Sequence, residues 1–137
     1  MPDIDAEQFP NIYRAIRSRR WYDPATQRVS SAAFVLRDQE IGLSALKGVN
    51  CSPQACLAGL NTCFGELALP TERVLNLGLQ IVEDEPDAPE FRENHAQIMG
   101  IPIDRTTPAH VKLAEDFASS LAEMSSLHYD RHEKFRE

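Results

Sequence analysis

The chain has 137 residues and a net charge of −7, with 42% hydrophobic and 26% charged residues. This length and balance fit one globular domain and exclude a disordered or fibrous chain. No apolar run reaches the roughly 18 residues of a membrane span, and the acidic residues 1–5 do not resemble a secretory signal. We therefore expect a soluble cytoplasmic protein with no membrane contact.

Acidic charge is concentrated in the middle of the chain. Residues 48–105 carry three basic and nine acidic side chains, whereas residues 1–47 carry seven basic and six acidic ones. At a sequence pI of about 5.1 the protein repels polyanions, so we expect no nucleic-acid partner. A local group of arginines can still bind one small anion.

The first third of the chain predicts three strands and a turn. Alternating side chains over residues 11–17 favour a strand, with a helix as the alternative. Asp-Pro at residues 23 and 24 predicts a turn within residues 21–27. Residues 31–36 are short and apolar and predict a buried strand, and residues 41–46 predict another.

The remainder predicts helices and further strands. A capping serine and a first-turn proline predict a short helix over residues 52–60, and residues 70–77 predict one or two helical turns ended by Gly78. Strands are expected at residues 64–69, 79–82 and 96–99, and an exposed acidic loop at residues 83–90. Apolar residues spaced by three and four predict a long helix that starts after Thr107 and covers the sheet, and these are Val111, Ala114, Phe117, Ala118, Leu121, Met124 and Leu127.

Together these elements predict an α+β fold. We expect about five strands in one mainly antiparallel sheet, two short helices and a long C-terminal helix packed on the sheet. Residues 1–137 should form a single domain, with residues 1–9 and 128–137 at its periphery. The order of the strands does not follow from the sequence.

A cluster of arginine and aromatic residues lies near the N-terminus. Its members are Arg14, Arg17, Arg19, Arg20, Tyr13, Trp21 and Tyr22. Guanidinium groups bind phosphate or carboxylate in two-pronged fashion and stack on aromatic rings, so this cluster predicts a binding surface. The alternative is that the arginines form a solvated turn that pairs with the acidic loop, while the aromatic rings simply pack.

Serine and histidine side chains begin two of the predicted strands. Ser30 and Ser31 precede one strand and His95 precedes another, so they can meet at one edge of a sheet. We take His95 and Ser31 as candidate catalytic residues and Ser30 as a candidate ligand-binding residue. No Gly-x-Ser-x-Gly turn exposes a nucleophile, and the alternative is that the serines cap backbone groups and His95 packs.

No metal or cofactor is expected. Cys51, Cys56 and Cys63 form no Cys-x-x-Cys pair, and Cys56 lies in an apolar segment typical of a structural thiol. His128 and His132 are spaced to share one face of a helix, but no third ligand is nearby. The chain also lacks a glycine-rich phosphate loop.

Several short segments carry a resemblance to other proteins. They are Ile12-Tyr13-Arg14, Arg28-Val29-Ser30-Ser31-Ala32-Ala33-Phe34, Gly42-Leu43-Ser44 and Asn94-His95-Ala96-Gln97-Ile98-Met99-Gly100. In this order they resemble a group of small uncharacterised bacterial proteins with a Tyr-Arg start, a Ser-Ser-x-x-Phe segment and a His-Ala-x-Ile-x-Gly segment. The resemblance implies one unitary domain and draws attention to Arg14, Ser30, Ser31 and His95.

Two functional hypotheses follow. The first is a non-enzymatic binding or accessory protein whose arginine and aromatic surface meets a protein partner, which can be a second copy in a homodimer, or a small anionic ligand. The second is a small nucleotide-directed enzyme that transfers or cleaves ADP-ribose, with Arg14 on phosphate, Ser30 or Ser31 on ribose and His95 moving a proton.

Overall fold

The computed structural model describes residues 3–37, 39–47, 64–83 and 95–130. The strands within these ranges are β1 Asn11–Ile16, β2 Tyr22–Asp23, β3 Arg28–Val29, β4 Leu43–Leu46, β5 Gly65–Pro70, β6 Gln80–Glu83, β7 His95–Met99 and β8 Ser126–Asp130. The helices are α1 Thr71–Asn76 and α2 Pro108–Met124, and two 3₁₀ turns cover Arg19–Trp21 and Ser31–Phe34. No helix in these ranges has both the length and the apolar character needed to cross a membrane.

Six of the described strands form one antiparallel sheet in the order β6-β7-β4-β1-β5-β8, and β2 and β3 form a separate hairpin. Strand β1 is central and pairs along its whole length with β5, from Asn11 opposite Pro70 to Ile16 opposite Gly65. Its ladder with β4 has one registered pair among the described residues, Tyr13 opposite Leu46. Strands β1 and β4 are therefore held together by few backbone pairs among the described residues. The site described below lies at this part of the sheet.

The hydrophobic core lies between one face of the sheet and the layer made by α2 and the second 3₁₀ turn. Strand side chains alternate between the two faces, and the largest fully buried ones include Ile12, Ile16, Leu43 and Ile98. Phe34 of the 3₁₀ turn and Leu121 of α2 are also completely buried. The α+β class, the antiparallel sheet and the long C-terminal helix are thus confirmed.

The prediction of a strand over residues 31–36 was wrong. Residues Ser31–Phe34 form a 3₁₀ turn, and the Ser30 side chain accepts a hydrogen bond from the Ala32 amide at 3.1 Å. Serine side chains favour such local caps over extended backbone because they satisfy the first unpaired N–H of a turn. The turn buries Ala33 and Phe34 completely, so this segment is part of the core as a turn and not as a strand.

The long helix ends before the last residue of the apolar pattern that was predicted to lie on it. The helix ends at Met124, where the Ser125 hydroxyl donates to the Ala122 carbonyl at 2.9 Å, and the chain continues as β8. Leu127 therefore reaches the core from a strand that pairs with Leu67, not from the helix. This strand raises the sheet above the expected five strands, and His128 lies on it.

Two side chains near the N-terminus pack into the core. Ile4 and Phe9 are buried, and the Ile4 amide donates to the Ile81 carbonyl at 2.8 Å on β6. The strands predicted at residues 11–17, 41–46, 64–69, 79–82 and 96–99 are present within a residue or two, and α1 supplies the predicted helical turns. The predicted helix over residues 52–60, the three cysteines and most of the acidic loop lie outside the described residues.

Candidate functional site

Arg14 lies on the core face of β1. It alternates with Ile12 and Ile16, so strand geometry directs its side chain inward, and it is only 8% exposed. Its Nε donates to the Ala33 carbonyl at 2.6 Å and its Nη1 donates to the Ser44 carbonyl at 2.7 Å. Arg14 therefore joins the second 3₁₀ turn to β4 at the place where the β1–β4 ladder is open.

Aromatic rings enclose the Arg14 guanidinium. Its central carbon is 5.2 Å from the Trp21 ring centroid and 5.8 Å from that of Phe34. Burial lowers the pKa of Arg14 to about 10, and the nearby Glu40 carboxylate opposes this effect. The group remains cationic at neutral pH, held by carbonyl oxygens and ring faces.

Ser44 and His95 form a hydrogen-bonded pair on the opposite face of the sheet. Leu43 and Ala45 are buried in the core, so the intervening Ser44 side chain projects from the other face, where it is exposed. The Ser44 hydroxyl is 2.6 Å from Nε2 of His95, which is on β7. Since Arg14 binds the Ser44 carbonyl, Arg14 and His95 are linked through this one residue.

The remaining arginines lie around the hairpin. The first 3₁₀ turn is capped by Ser18, whose side chain accepts from the Arg20 amide, and it buries Trp21 while Arg19 and Arg20 stay exposed. Arg28 lies opposite Asp23 in the β2–β3 ladder and is also exposed. The arginine cluster of the sequence is thus divided, with Arg14 inside and the others outside.

Three of these arginines line one open depression of about 630 Å³, which we call the arginine pocket. It is lined by Arg19, Arg20, Tyr22, Asp23, Pro24, Thr26, Arg28, Val29 and Ser30. Arg19 also lies against the Phe64 ring, at 5.8 Å from its centroid. Neither Arg20 nor Arg28 forms an ion pair with a carboxylate of the described residues.

Asp23 is the acidic residue of the arginine pocket. Its carboxylate accepts from the Ala25 amide and from the Thr26 hydroxyl, both at 2.9 Å, and these bonds hold its pKa below the usual value. Asp23 therefore stabilises the hairpin turn as an anion. Three cations and one anion line the pocket, so its local charge is positive although the whole chain is acidic.

The structure separates the other candidate residues. Ser31 lines a different depression, with Ser119 and Glu123 among its neighbours, and neither Arg14 nor His95 belongs to that lining. Tyr13 lies on the sheet face opposite Arg14 and contacts the His128 ring in a tilted arrangement, with ring centroids 4.7 Å apart. Arg17 is exposed and lines none of these depressions. Within the part of the chain that the structure describes, the depression lined by Ser31 therefore includes neither Arg14 nor His95.

Two residues of these sites, Ser44 and Arg28, were not predicted from the sequence as site residues. Ser44 was noted only within a resembling segment, yet its exposure between two buried neighbours is a recognisable pattern of a half-buried strand. Arg28 follows the Asp-Pro turn, and a hairpin interpretation of residues 22–29 would have placed it opposite Asp23. Among the described residues, no group of three or more histidine, cysteine, aspartate or glutamate side chains is arranged to hold a metal ion.

Comparison of the chain with family models, with curated proteins and with solved structures finds no match.

Proposed function

We propose that this is a binding protein whose arginine pocket receives the phosphate or carboxylate group of its ligand or partner. The observation that supports this most directly is that Arg19, Arg20 and Arg28 line one open depression from two different elements. Guanidinium groups present paired N–H donors that match the oxygens of such anions. The Ser30 hydroxyl adds one more donor at the pocket lining.

The base of the arginine pocket is rigid, which lowers the cost of binding. Trp21 and Tyr22 are buried, the Ser30 amide donates to the Trp21 carbonyl at 2.8 Å, and Asp23 holds the turn. The arginines therefore project from a fixed backbone, and only their side chains need to be ordered when an anion binds. The acidic remainder of the chain disfavours long polyanions, so the proposed ligand carries one compact anionic group.

The geometry supports the nucleotide-directed enzyme hypothesis less well than it supports a binding protein. Arg14 was expected to bind phosphate, but two of its donors already bind the Ala33 and Ser44 carbonyls within the core. Ser31 and His95 line no common depression among the described residues. A nucleotide enzyme that uses Arg14, Ser31 and His95 together is therefore not the function we propose.

Anion titration of the whole chain tests the proposal. Calorimetry with inorganic phosphate, pyrophosphate, AMP and citrate should show binding by at least one of them. The double variant Arg20→Gln, Arg28→Gln should weaken that binding at least tenfold, because each charged hydrogen bond is worth about 1.5–3 kcal/mol. Arg73→Gln is the matched control, since Arg73 is exposed on α1 and lies outside the pocket.

Light scattering on the same proteins tests whether the partner is a second copy of the chain. If the wild-type protein is a dimer and the double variant is a monomer, the carboxylate that enters the pocket belongs to another copy. Absence of binding by all four anions in a protein whose mass is also unchanged by the double variant would contradict the proposal.

A further inference from the structure

We propose that Ser44 is a nucleophile activated by His95, in a site for small acyl esters that is separate from the arginine pocket. The Ser44 hydroxyl lies 2.6 Å from Nε2 of His95, which is within the range of a strong hydrogen bond between a nucleophile and its base. The Ser44 side chain is exposed on its face of the sheet. A small substrate can therefore approach Ser44 from solvent.

Backbone pairing fixes the relative position of the two side chains. Strands β4 and β7 are paired from Leu43 opposite Ile98 to Leu46 opposite His95. Ser44 and His95 lie two residues apart along this ladder and project from the same face, so the hydroxyl and the imidazole meet diagonally across adjacent strands. A site on paired strands holds its geometry better than one on loops.

Arg14 adds a positioning contact from the other side of the sheet. Its Nη1 donates to the carbonyl of Ser44 itself, at 2.7 Å, where the β1–β4 ladder supplies no registered pair. This bond restrains the backbone that carries the nucleophile. On the His95 ring, Nδ1 is shielded from solvent and Nε2 faces the exposed Ser44.

The reaction assigned to this pair is acyl transfer. With the imidazole proton on Nδ1, Nε2 accepts the Ser44 proton while Oγ attacks the carbonyl carbon of an ester. The bond to the alcohol then breaks, and the alcohol leaves with the proton from Nε2, so that an acyl-Ser44 ester remains. Water attacks this ester, its proton passes through His95 to Ser44 Oγ, and the carboxylic acid leaves. Gln97 lies directly opposite Ser44 in the β4–β7 ladder, so its side-chain amide is on the same face of the sheet as the Ser44 hydroxyl.

Labelling with an alkyl fluorophosphonate tests the proposal on the whole chain. Ser44 Oγ should attack phosphorus, fluoride should leave, and mass spectrometry should find one adduct, located on Ser44. His95→Gln should slow labelling roughly 100-fold, the typical effect of removing a general base.

Ser126→Ala is the matched control, because Ser126 is an exposed serine on strand β8 of the same sheet. This variant should label at the wild-type rate, and Ser44→Ala should not label. Hydrolysis of p-nitrophenyl acetate should follow the same order among the variants. The proposal would be overturned by absence of an adduct, by an adduct on another residue, or by equal labelling rates in His95→Gln and the wild-type protein.

Discussion

Arginine has two different environments in this molecule. Arg14 is buried beneath Trp21 and Phe34 and gives its donors to main-chain carbonyls, so its charge serves the packing of the sheet. Arg20 and Arg28 are exposed at the arginine pocket and form no ion pair with the described carboxylates. The comparison shows that an arginine at a core-facing strand position donates to the protein itself, whereas an exposed arginine keeps its donors available to a ligand.

Replacement of the buried arginine gives the largest expected effect. Arg14→Leu leaves the Ala33 and Ser44 carbonyls without their donor, and each buried unsatisfied group costs about 1–3 kcal/mol. We expect the free energy of unfolding in urea to fall by about 3–5 kcal/mol, including the loss of packing against the rings. Arg20→Leu should change it by no more than about 0.5 kcal/mol. Equal losses in the two variants would remove the distinction between the regions.

Glu66 is also buried, and it sharpens the comparison because burial makes its neutral form, not its charged form, the favoured one near neutral pH. Glu66 on β5 is 3% exposed, and burial raises its pKa from 4.5 to about 7. The folded state therefore keeps a proton that the unfolded state loses, so its contribution to stability is complete below pH 4.5 and is lost as pH rises through about 7.

Glu66→Gln tests this difference. The wild-type protein should lose up to about 3 kcal/mol of stability relative to the variant between pH 4.5 and 7.5, because each unit of pKa shift corresponds to about 1.4 kcal/mol. Urea denaturation at a series of pH values measures it, and Glu72→Gln on the exposed side of α1 is the control. Parallel stability curves for wild type and Glu66→Gln would show that the carboxyl ionises normally in the folded state.

The separation of these regions was only partly predictable from the sequence. The parity of Ile12, Arg14 and Ile16 was visible and already implies a shared buried face, but a charged residue is usually assigned to the surface. What overrides that tendency is a pair of carbonyl acceptors supplied by residues 19 and 30 positions away. Such acceptors become apparent only when the strand order is known.

The Ser44–His95 contact was unpredictable for a similar reason. The two residues are 51 positions apart, and they meet only because β4 pairs with β7 in one register. A shift of one residue would move Ser44 to the opposite face. The individual strands were predictable from local alternation, whereas the register that creates the site depends on the packing of the entire sheet.

Ser30 connects the two regions, and its replacement gives the smallest expected effect. Its side chain caps the 3₁₀ turn that presents the Ala33 carbonyl to Arg14, and the same residue lines the arginine pocket. Ser30→Ala should lower the free energy of unfolding by about 1 kcal/mol, the usual value of such a cap. Ser31→Ala, at an exposed position one residue later, should change it by less than about 0.5 kcal/mol.

A double-mutant cycle between Ser30→Ala and Arg14→Lys determines whether the cap acts through the buried arginine. If the cap holds the Ala33 carbonyl in place for Arg14, the two losses should fall short of additivity by at least about 0.5 kcal/mol, because the second change removes an interaction that the first has already weakened. Strict additivity would show that the cap stabilises the turn locally, and that the arginine pocket and the buried arginine are energetically independent despite sharing one 3₁₀ turn.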